Sequence, residues 1–283
     1  MTELNINAAS LAPAGFDIDT WLADTAGAAQ FDLSHVMAKG MPIHPAHPPF
    51  HITLNNRHGD TVRYCGHSSA NELMCGSLHS GTHIDALCHA SSHGKLFGGI
   101  DAAEAQAGTE LFKVLGAETI APIFRRAVLL DVAGVLGVDA LEPAYEVTAA
   151  DLDHCLAAAD TEIRPGDVVL LRSGWAAYWA DSPRYLGLDS AGAPGPGVEA
   201  GRWLAAHRPF AVGSDTSAFE VMNHHDITLE VHKILIAEHG IHIIENLDLQ
   251  ALAASPHRTV ALVALPPKIA GATGAPLRPI ALA

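Results

Sequence analysis

The sequence predicts an α/β protein, and three observations carry that prediction. Val128-Leu129-Leu130-Asp131-Val132 and Val168-Val169-Leu170-Leu171-Arg172 are nearly continuous apolar runs, the mark of strands buried on both faces. Between them, Thr148-Ala149-Ala150-Asp151 has the form of a capping box, with Asp in place of the usual Glu, and opens an Ala/Leu helix to about Ala159. Strand, helix and strand in succession point to a layered α/β arrangement. Finally, 283 residues that are 49% hydrophobic and 17% charged suffice for a substantial core and exclude a disordered chain.

Composition also narrows the function. A formal net charge of −15 argues against nucleic acid as a partner, because phosphate binding needs concentrated Lys and Arg. No apolar run reaches the roughly eighteen residues a membrane span needs. The start, Met1-Thr2-Glu3-Leu4-Asn5, lacks the basic region of a secretory signal, so the cytoplasm is the expected location. Cys65, Cys75, Cys88 and Cys155 form no C-x-x-C pair and read as reduced thiols. Cys88 lies beside His89, but adjacent residues diverge, and small buried packing is the better reading than a nucleophile.

Residues 1–30 read as an Ala-rich N-terminal extension with a short helix around Ile18–Ala26, and residues 31–283 as one domain. Phe31-Asp32-Leu33-Ser34-His35-Val36 alternates like a strand start. Met41-Pro42-Ile43-His44-Pro45-Ala46-His47-Pro48-Pro49-Phe50 is a proline-rich loop unable to form a helix. With Phe50, His51 and Leu54 it either walls a substrate pocket or runs over the surface. Arg57-His58-Gly59-Asp60 is a turn between extended segments.

The chemistry concentrates in His79-Ser80-Gly81-Thr82-His83-Ile84-Asp85-Ala86-Leu87-Cys88-His89. Imidazole and carboxylate together suit zinc, manganese or iron. With 18 histidines in the chain, some clustering arises by chance, but four ligand-type residues at this spacing are harder to dismiss. Along a fully extended strand, His79 and His83 would lie about 13 Å apart, too far to share one ion. The spacing therefore predicts a bend at Ser80-Gly81, a short extended piece carrying His83 and Asp85, and a helical turn returning His89 to the same cavity. His79, His83 and Asp85 are the metal candidates, and His89 the general acid/base.

Beyond the motif, Ser91–Gly99 reads as a flexible glycine-bearing loop able to cover a site, with His93 in a pocket or supporting role. Ser190-Ala191-Gly192-Ala193-Pro194-Gly195-Pro196-Gly197 is the strongest loop signal, an excursion before a helix at Val198–His207. Phe210–Asp215 is a further strand. Asp215 at its end either orients a ligand histidine or caps the next segment. Leu229–Ile236 is helical in pattern, Gly240 is its stop, and Ile241–Leu247 is a short strand. His239 and His242 flank the stop as surface residues. Read alone, His232 is a partly buried helix histidine and Glu245 a salt-bridge partner. Thr259–Leu265 is a final buried strand, and Arg278 in the tail reads as a surface charge.

H-x-G-T-H-x-D-x-x-x-H, met here by His79, Gly81, Thr82, His83, Asp85 and His89, resembles the signature of the cyclase-type metal-dependent hydrolases. That family includes bacterial kynurenine formamidase, isatin hydrolase and trans-dienelactone hydrolase. The resemblance runs from about Asp32 to the C-terminus. It implies a single-domain swivelling β/β/α fold with a mixed β-sheet core and flanking helices, usually in homodimers or homotetramers. It also implies that Glu245 completes the metal shell or contacts its water, and that His232 lines the site or binds a second metal. Trp175, in Ser173-Gly174-Trp175, becomes a pocket candidate, the loop at Phe50 a pocket wall, and Arg278 a possible contact for a substrate carboxylate. Leu87 departs from the proline of the formamidase form, which weighs against formylkynurenine as substrate and against a two-metal site.

The resulting expectation is a hydrolase of amides or lactones, cyclic and isatin- or dienelactone-like, using Mn²⁺ or Zn²⁺ and a small-molecule substrate. An arylformamidase is the rival within the enzyme class, and a non-catalytic metal-binding protein the rival outside it.

Overall fold

Val128 and Leu130 point to one face of their strand, Ala127 and Leu129 to the other, and all four are buried. That two-sided burial fixes the middle of the structure, a computed structural model that describes residues 20, 25–106, 108, 110–223 and 228–283. The helix expected at Ile18–Ala26 lies largely outside the described residues.

In chain order the first strands are β1 (Gln30–Asp32), β2 (His51–Asn56), β3 (Asn71–Cys75), β4 (His83–Asp85) and β5 (Ile123–Asp131). Next come β6 (Glu146–Val147), β7 (Val168–Arg172), β8 (Gly192–Ala193), β9 (Gly195–Pro196) and β10 (Ala211–Ser214). The last are β11 (Met222–Asn223), β12 (His242–Glu245), β13 (Thr259–Ala264), β14 (Gly274–Pro276) and β15 (Ile280–Leu282). A nine-stranded mixed sheet runs β1-β15-β13-β5-β7-β10-β12-β4-β14. Its centre, β5-β7-β10-β12, is parallel, and the flanking pairs are antiparallel.

Parallel neighbours need crossovers, and three helical segments supply them: Ala149–Ala158, Val198–His207, and Glu230–His232 continuing through a π-helical turn at Lys233–Glu238. Because the strand order advances in one direction, right-handed crossovers put all three on one face. There Leu152, Leu204 and Leu235 pack on Val128, Leu130, Val169, Val212 and Ile243. Truncating a fully buried leucine of this layer to alanine would cost about 2–5 kcal/mol. On the other face, Ile84 of β4 and Leu129 pack with Ala117, Ile120, Leu247 and Leu252. The predicted capping box forms, with the Asp151 N–H donating to Thr148 Oγ1 at 3.3 Å and the Thr148 N–H donating to Asp151 Oδ2 at 2.9 Å.

The structure corrects three readings of the sequence. Ser190–Gly197 is an excursion within the domain but not a plain loop: residues 192–197 are buried and include β8 and β9, and Gly195 lies so close to the Phe219–Glu220 backbone that a β-carbon would collide. The Ser91–Gly99 loop is pinned rather than free, since Leu96 is buried, Phe97 packs on Gly240 and the Ser92 hydroxyl donates to Glu238 at 3.0 Å. His242 is buried rather than superficial. Among the described residues, no helix is long and apolar enough to cross a membrane.

Candidate metal centre

The carboxyl ends of the parallel strands are where an open α/β sheet presents its ligand site, and the motif histidines gather there. Gly81, at φ 64°, makes the predicted bend in the left-handed region and turns the chain into β4. His83 and Asp85 are two apart on β4 and share a face. Glu245 lies directly opposite His83 on β12, so its carboxylate joins them. After Asp85 the chain makes a turn, closed by the His89 N–H on the Ala86 carbonyl at 2.9 Å. The turn brings the His89 ring to 4.2 Å from that of His79.

Three histidines use their ring nitrogens in the same way: one is held by an outer partner and the other faces inward. For His79, Nε2 meets Thr273 Oγ1 at 2.9 Å and Nδ1 lies 2.8 Å from Asp85 Oδ1. For His83, Nδ1 meets the Gly81 carbonyl at 2.8 Å, while Nε2 lies 3.6 Å from Asp85 Oδ1 and 3.4 Å from Glu245 Oε2. For His232, Nδ1 meets Glu220 Oε2 at 2.5 Å, while Nε2 lies 3.2 Å from Glu245 Oε1 and 3.8 Å from Asp85 Oδ2.

Among the described residues, His83 Nε2 and both Asp85 oxygens are buried and make no well-directed hydrogen bond; what stands close to them is other inward-facing ligand atoms, His79 Nδ1 at 2.8 Å from Asp85 Oδ1 and Glu245 Oε2 at 3.4 Å from His83 Nε2. Such orphaned groups are costly unless something else satisfies them. Imidazole nitrogens and carboxylate oxygens converging at this spacing, with their outer atoms fixed, fit a divalent cation. Among the described residues, two triads bring one ligand atom from each member within 4.8 Å of the others: His79, His83 and Asp85, and Asp85, His89 and His232. Asp85 belongs to both.

The charges are mutually dependent. Burial opposes charging Asp85, but His89, His79 and His83 outweigh it and hold its carboxyl far below the usual range. Glu245 is likewise lowered, burial being overcome by His232 and His83. Burial disfavours the charged form of His232 and His83, yet the adjoining carboxylates, Glu220 and Glu245 for one and Glu245 and Asp85 for the other, push both above the ordinary histidine value. His89 goes the other way: burial, only partly offset by Asp85, pushes it down to about 4, so its imidazole is neutral at pH 7.

The remaining candidates sit elsewhere. His93 is exposed in a left-handed turn of the 91–99 loop and belongs to neither triad. Asp215 does not orient a ligand histidine. Its carboxylate accepts the backbone N–H groups of Ser173 and Gly174, each at 2.8 Å, and ties the end of β7 to that of β10. Trp175 is a buried core residue whose indole N–H donates to the Tyr185 carbonyl at 2.8 Å. Phe50 is buried against Gly76, while two other residues of that loop reach the motif, Met41 beside Gly81 and His47 stacked on His79 at 5.8 Å. Arg278 pairs with Asp32 at 2.7 Å.

Four further residues hold the centre together: Glu220, Thr273 and Asn246, to which sequence reasoning gave no role, and His242, which it read as superficial. Glu220 accepts the backbone N–H groups of Val231 at 3.0 Å and His232 at 2.8 Å besides the His232 ring. Thr273 supports His79, and His242 Nδ1 lies 2.8 Å from the Asp85 carbonyl. Asn246, at φ 56°, donates from its amide to the Gly81 carbonyl at 3.0 Å, accepts the Tyr185 hydroxyl at 2.9 Å and takes the Thr82 hydroxyl on its carbonyl at 2.5 Å.

Comparison with known proteins follows the geometry. The family model described as "Putative cyclase" matches residues 31–221. A solved structure of a novel cyclase superposes with a TM-score of 0.83 at 26% identity, covering 94% of this chain and 90% of the other. Isatin hydrolase A from Ralstonia solanacearum gives 0.73 at 23% identity, covering 97% and 99%. A protein from Bacillus stearothermophilus described as a predicted metal-dependent hydrolase gives 0.60 at 22% identity, covering 90% and 98%. A search of curated proteins finds no match. These superpositions establish the fold: a single domain with a mixed sheet and flanking helices.

Proposed function

This chain belongs to the cyclase family, and from that premise we propose that it is a metal-dependent hydrolase of amide or lactone bonds, with a cyclic substrate of the isatin or dienelactone kind. The observation that carries the proposal is the convergence of His83 Nε2 and both Asp85 oxygens, buried and without a well-directed hydrogen bond, beside the inward nitrogens of His79 and His232. The cation would be held by His79 through Nδ1, His83 through Nε2 and Asp85, with Glu245 beside them. When bound, it supplies the Lewis acidity that polarises a carbonyl and makes water a nucleophile near neutral pH. Zinc and manganese both suit this donor set.

His89 supplies the proton chemistry. Its neutral imidazole stands next to His79 and Asp85, where it takes the proton from the attacking water and returns it to the leaving nitrogen or oxygen. Thr273, Gly81 and Glu220 hold the outer ring nitrogens, so the inward ones keep their direction through the reaction. Likeness to the isatin hydrolases, and Leu87 where the formamidase form of the motif has proline, favour a cyclic amide or lactone over formylkynurenine.

One observation favours a second reading. Asp85, His89 and His232 form a triad of their own, in which His89 would be a ligand for a second ion rather than the base.

The test is metal analysis of the purified protein, then turnover of isatin-like amides, lactones and N-formyl arylamines with and without chelator. Chelator-sensitive hydrolysis of the cyclic substrates supports the proposal. Bound metal with no turnover of any class would show a non-catalytic metal-binding protein.

A further inference from the structure

Strand β4 separates the ligand atoms from a second set of contacts on its other side. Ile84 and Ile244 lie in the core layer opposite the crossover helices, whereas Ile243 lies beneath those helices. Alternation therefore turns His83, Asp85 and Glu245 to the helix side, where His232 meets them. His242, the first residue of β12 and two before Ile244, belongs to the opposite side and is buried there. It reaches Asp85 through the backbone, with Nδ1 2.8 Å from the Asp85 carbonyl. A carbonyl only accepts, so the Nδ1–H is the donor.

This contact falls where β4 leaves the sheet. The pairing of β4 with β12 ends at Ile84–Ile244, one residue short of Asp85, and the Asp85–Ala86 peptide group is held from both ends. Its carbonyl takes the His242 ring, and its N–H, that of Ala86, donates to the Thr273 carbonyl at 2.9 Å. The hydroxyl of the same Thr273 meets His79 Nε2. On one side of this planar group stands the Asp85 carboxylate, and on the other the turn that returns His89. A rotation of this one plane would move the Asp85 carboxylate and the His89 ring relative to each other. His242 is itself braced. The Phe210 ring lies 5.2 Å from it, and the Arg125 guanidinium sits 4.1 Å over the Phe210 ring, with Nη1 donating to the Gly166 carbonyl at 3.0 Å. Any aromatic ring would fill this space, but only one with an N–H at that point holds the carbonyl.

We propose that His242 is a positioning residue of the metal centre: by holding the Asp85 carbonyl it sets the peptide plane that fixes the Asp85 carboxylate against the His89 ring. Its effect on turnover rests on the hydrolase reading, while its effect on the cation is measured without turnover.

The experiment adds cobalt(II) to metal-free full chain, comparing wild type with His242→Phe and His242→Asn. Phe keeps a ring against Phe210 and removes the N–H; Asn puts an amide N–H where Nδ1 stood. Chelator competition reads affinity, the visible absorption bands of the bound cobalt read its geometry, and isatin hydrolysis reads kcat and KM. The Phe variant is expected to bind cobalt about 10–100-fold more weakly, with displaced bands. At saturating cobalt its kcat should be lower by on the order of tenfold, with KM within about twofold of wild type. Asn should recover both affinity and bands. A purely structural role would lower the melting temperature and leave the bands of the folded, loaded protein alone. Wild-type affinity and bands in His242→Phe, or no recovery in Asn, would overturn the proposal. Should the Phe variant fail to fold, nitrogen-15 spectra of histidine-labelled wild type, assigned with His242→Asn, decide: a proton on His242 Nδ1 is expected, and a bare Nδ1 overturns the inference. A wild type that takes up no cobalt ends the hydrolase reading and this inference together. Binding and turnover untouched by His242→Phe overturn the inference alone.

Discussion

The centre's two halves are built in opposite ways. His79, His83, Asp85 and His89 come from one short stretch, arranged by a bend at Gly81, the alternation of β4 and a turn at Ala86. Glu220, His232 and Glu245 come from a loop, a helix and a strand, and only tertiary packing brings them together. The near half carries its geometry in its own backbone. The far half depends on Glu220, which ties the start of the helix and the His232 ring to a single carboxylate. Local geometry makes a half-site recognisable, whereas packing decides whether it is complete.

Substitutions in the two halves should therefore fail differently. The largest effect is expected for Asp85→Ala, because Asp85 belongs to both triads: bound metal by elemental analysis should fall to background, and turnover with it. Metal retained at the wild-type level in this variant would refute the assignment of the near half. His89→Ala comes next, with turnover lower by about 10²–10⁴ and metal content unchanged, as general acid/base loss predicts. If stoichiometry drops by one ion instead, His89 is a ligand and the halves share a second metal.

Glu220→Gln should weaken metal affinity by about 10–100-fold while leaving the near triad in place, the usual cost of losing an outer partner. Competition with a chelator measures it, and an unchanged affinity would mean that the far half contributes nothing to binding.

A smaller, continuous effect is expected from pH. His83 and His232 are raised above the ordinary value in the metal-free protein, so near neutrality they hold protons that an entering cation must displace. Affinity should rise with pH until both are neutral, with proton release visible as buffer-dependent heat in calorimetry. No pH dependence between 6 and 8 would contradict the inward placement of these nitrogens. The smallest effect is expected at the joint between halves. Asn246→Ala should cost about 2–3 kcal/mol in urea unfolding, from a left-handed φ that alanine disfavours and from lost buried hydrogen bonds.

What could be read from the sequence follows the same division. The strands at Val168–Arg172 and Thr259–Ala264 and the helices at Ala149–Ala158 and Val198–His207 show as apolar runs, periodicity and caps, because their signals are local. The bend at Gly81 was equally legible. Glu220 carried no signal, since nothing about a lone glutamate marks it as the partner of a histidine twelve residues on. Asp215 and Trp175 stayed open between a site role and a structural one for a related reason. A strand-end aspartate and a Gly-Trp pair look alike whether they face a ligand or brace two strand ends, and here they brace. Gly192–Gly197 misled most, because glycine and proline signal a loop even where the glycines serve close packing of buried strands.

Thr273 and β14 have a consequence in time. His79 is braced by a hydroxyl 194 positions further along the chain, and β4, which carries His83 and Asp85, is flanked by β12 and β14. During synthesis the ligand stretch leaves the ribosome long before the segments that enclose it. At about 5–20 residues per second it waits on the order of ten seconds or more. In that interval its histidines and aspartate lack their final supports, so a cation captured then has no finished cage. The centre can close only after β14 has joined the sheet, so any stable loading of the proposed cation would be a late event in the maturation of the chain.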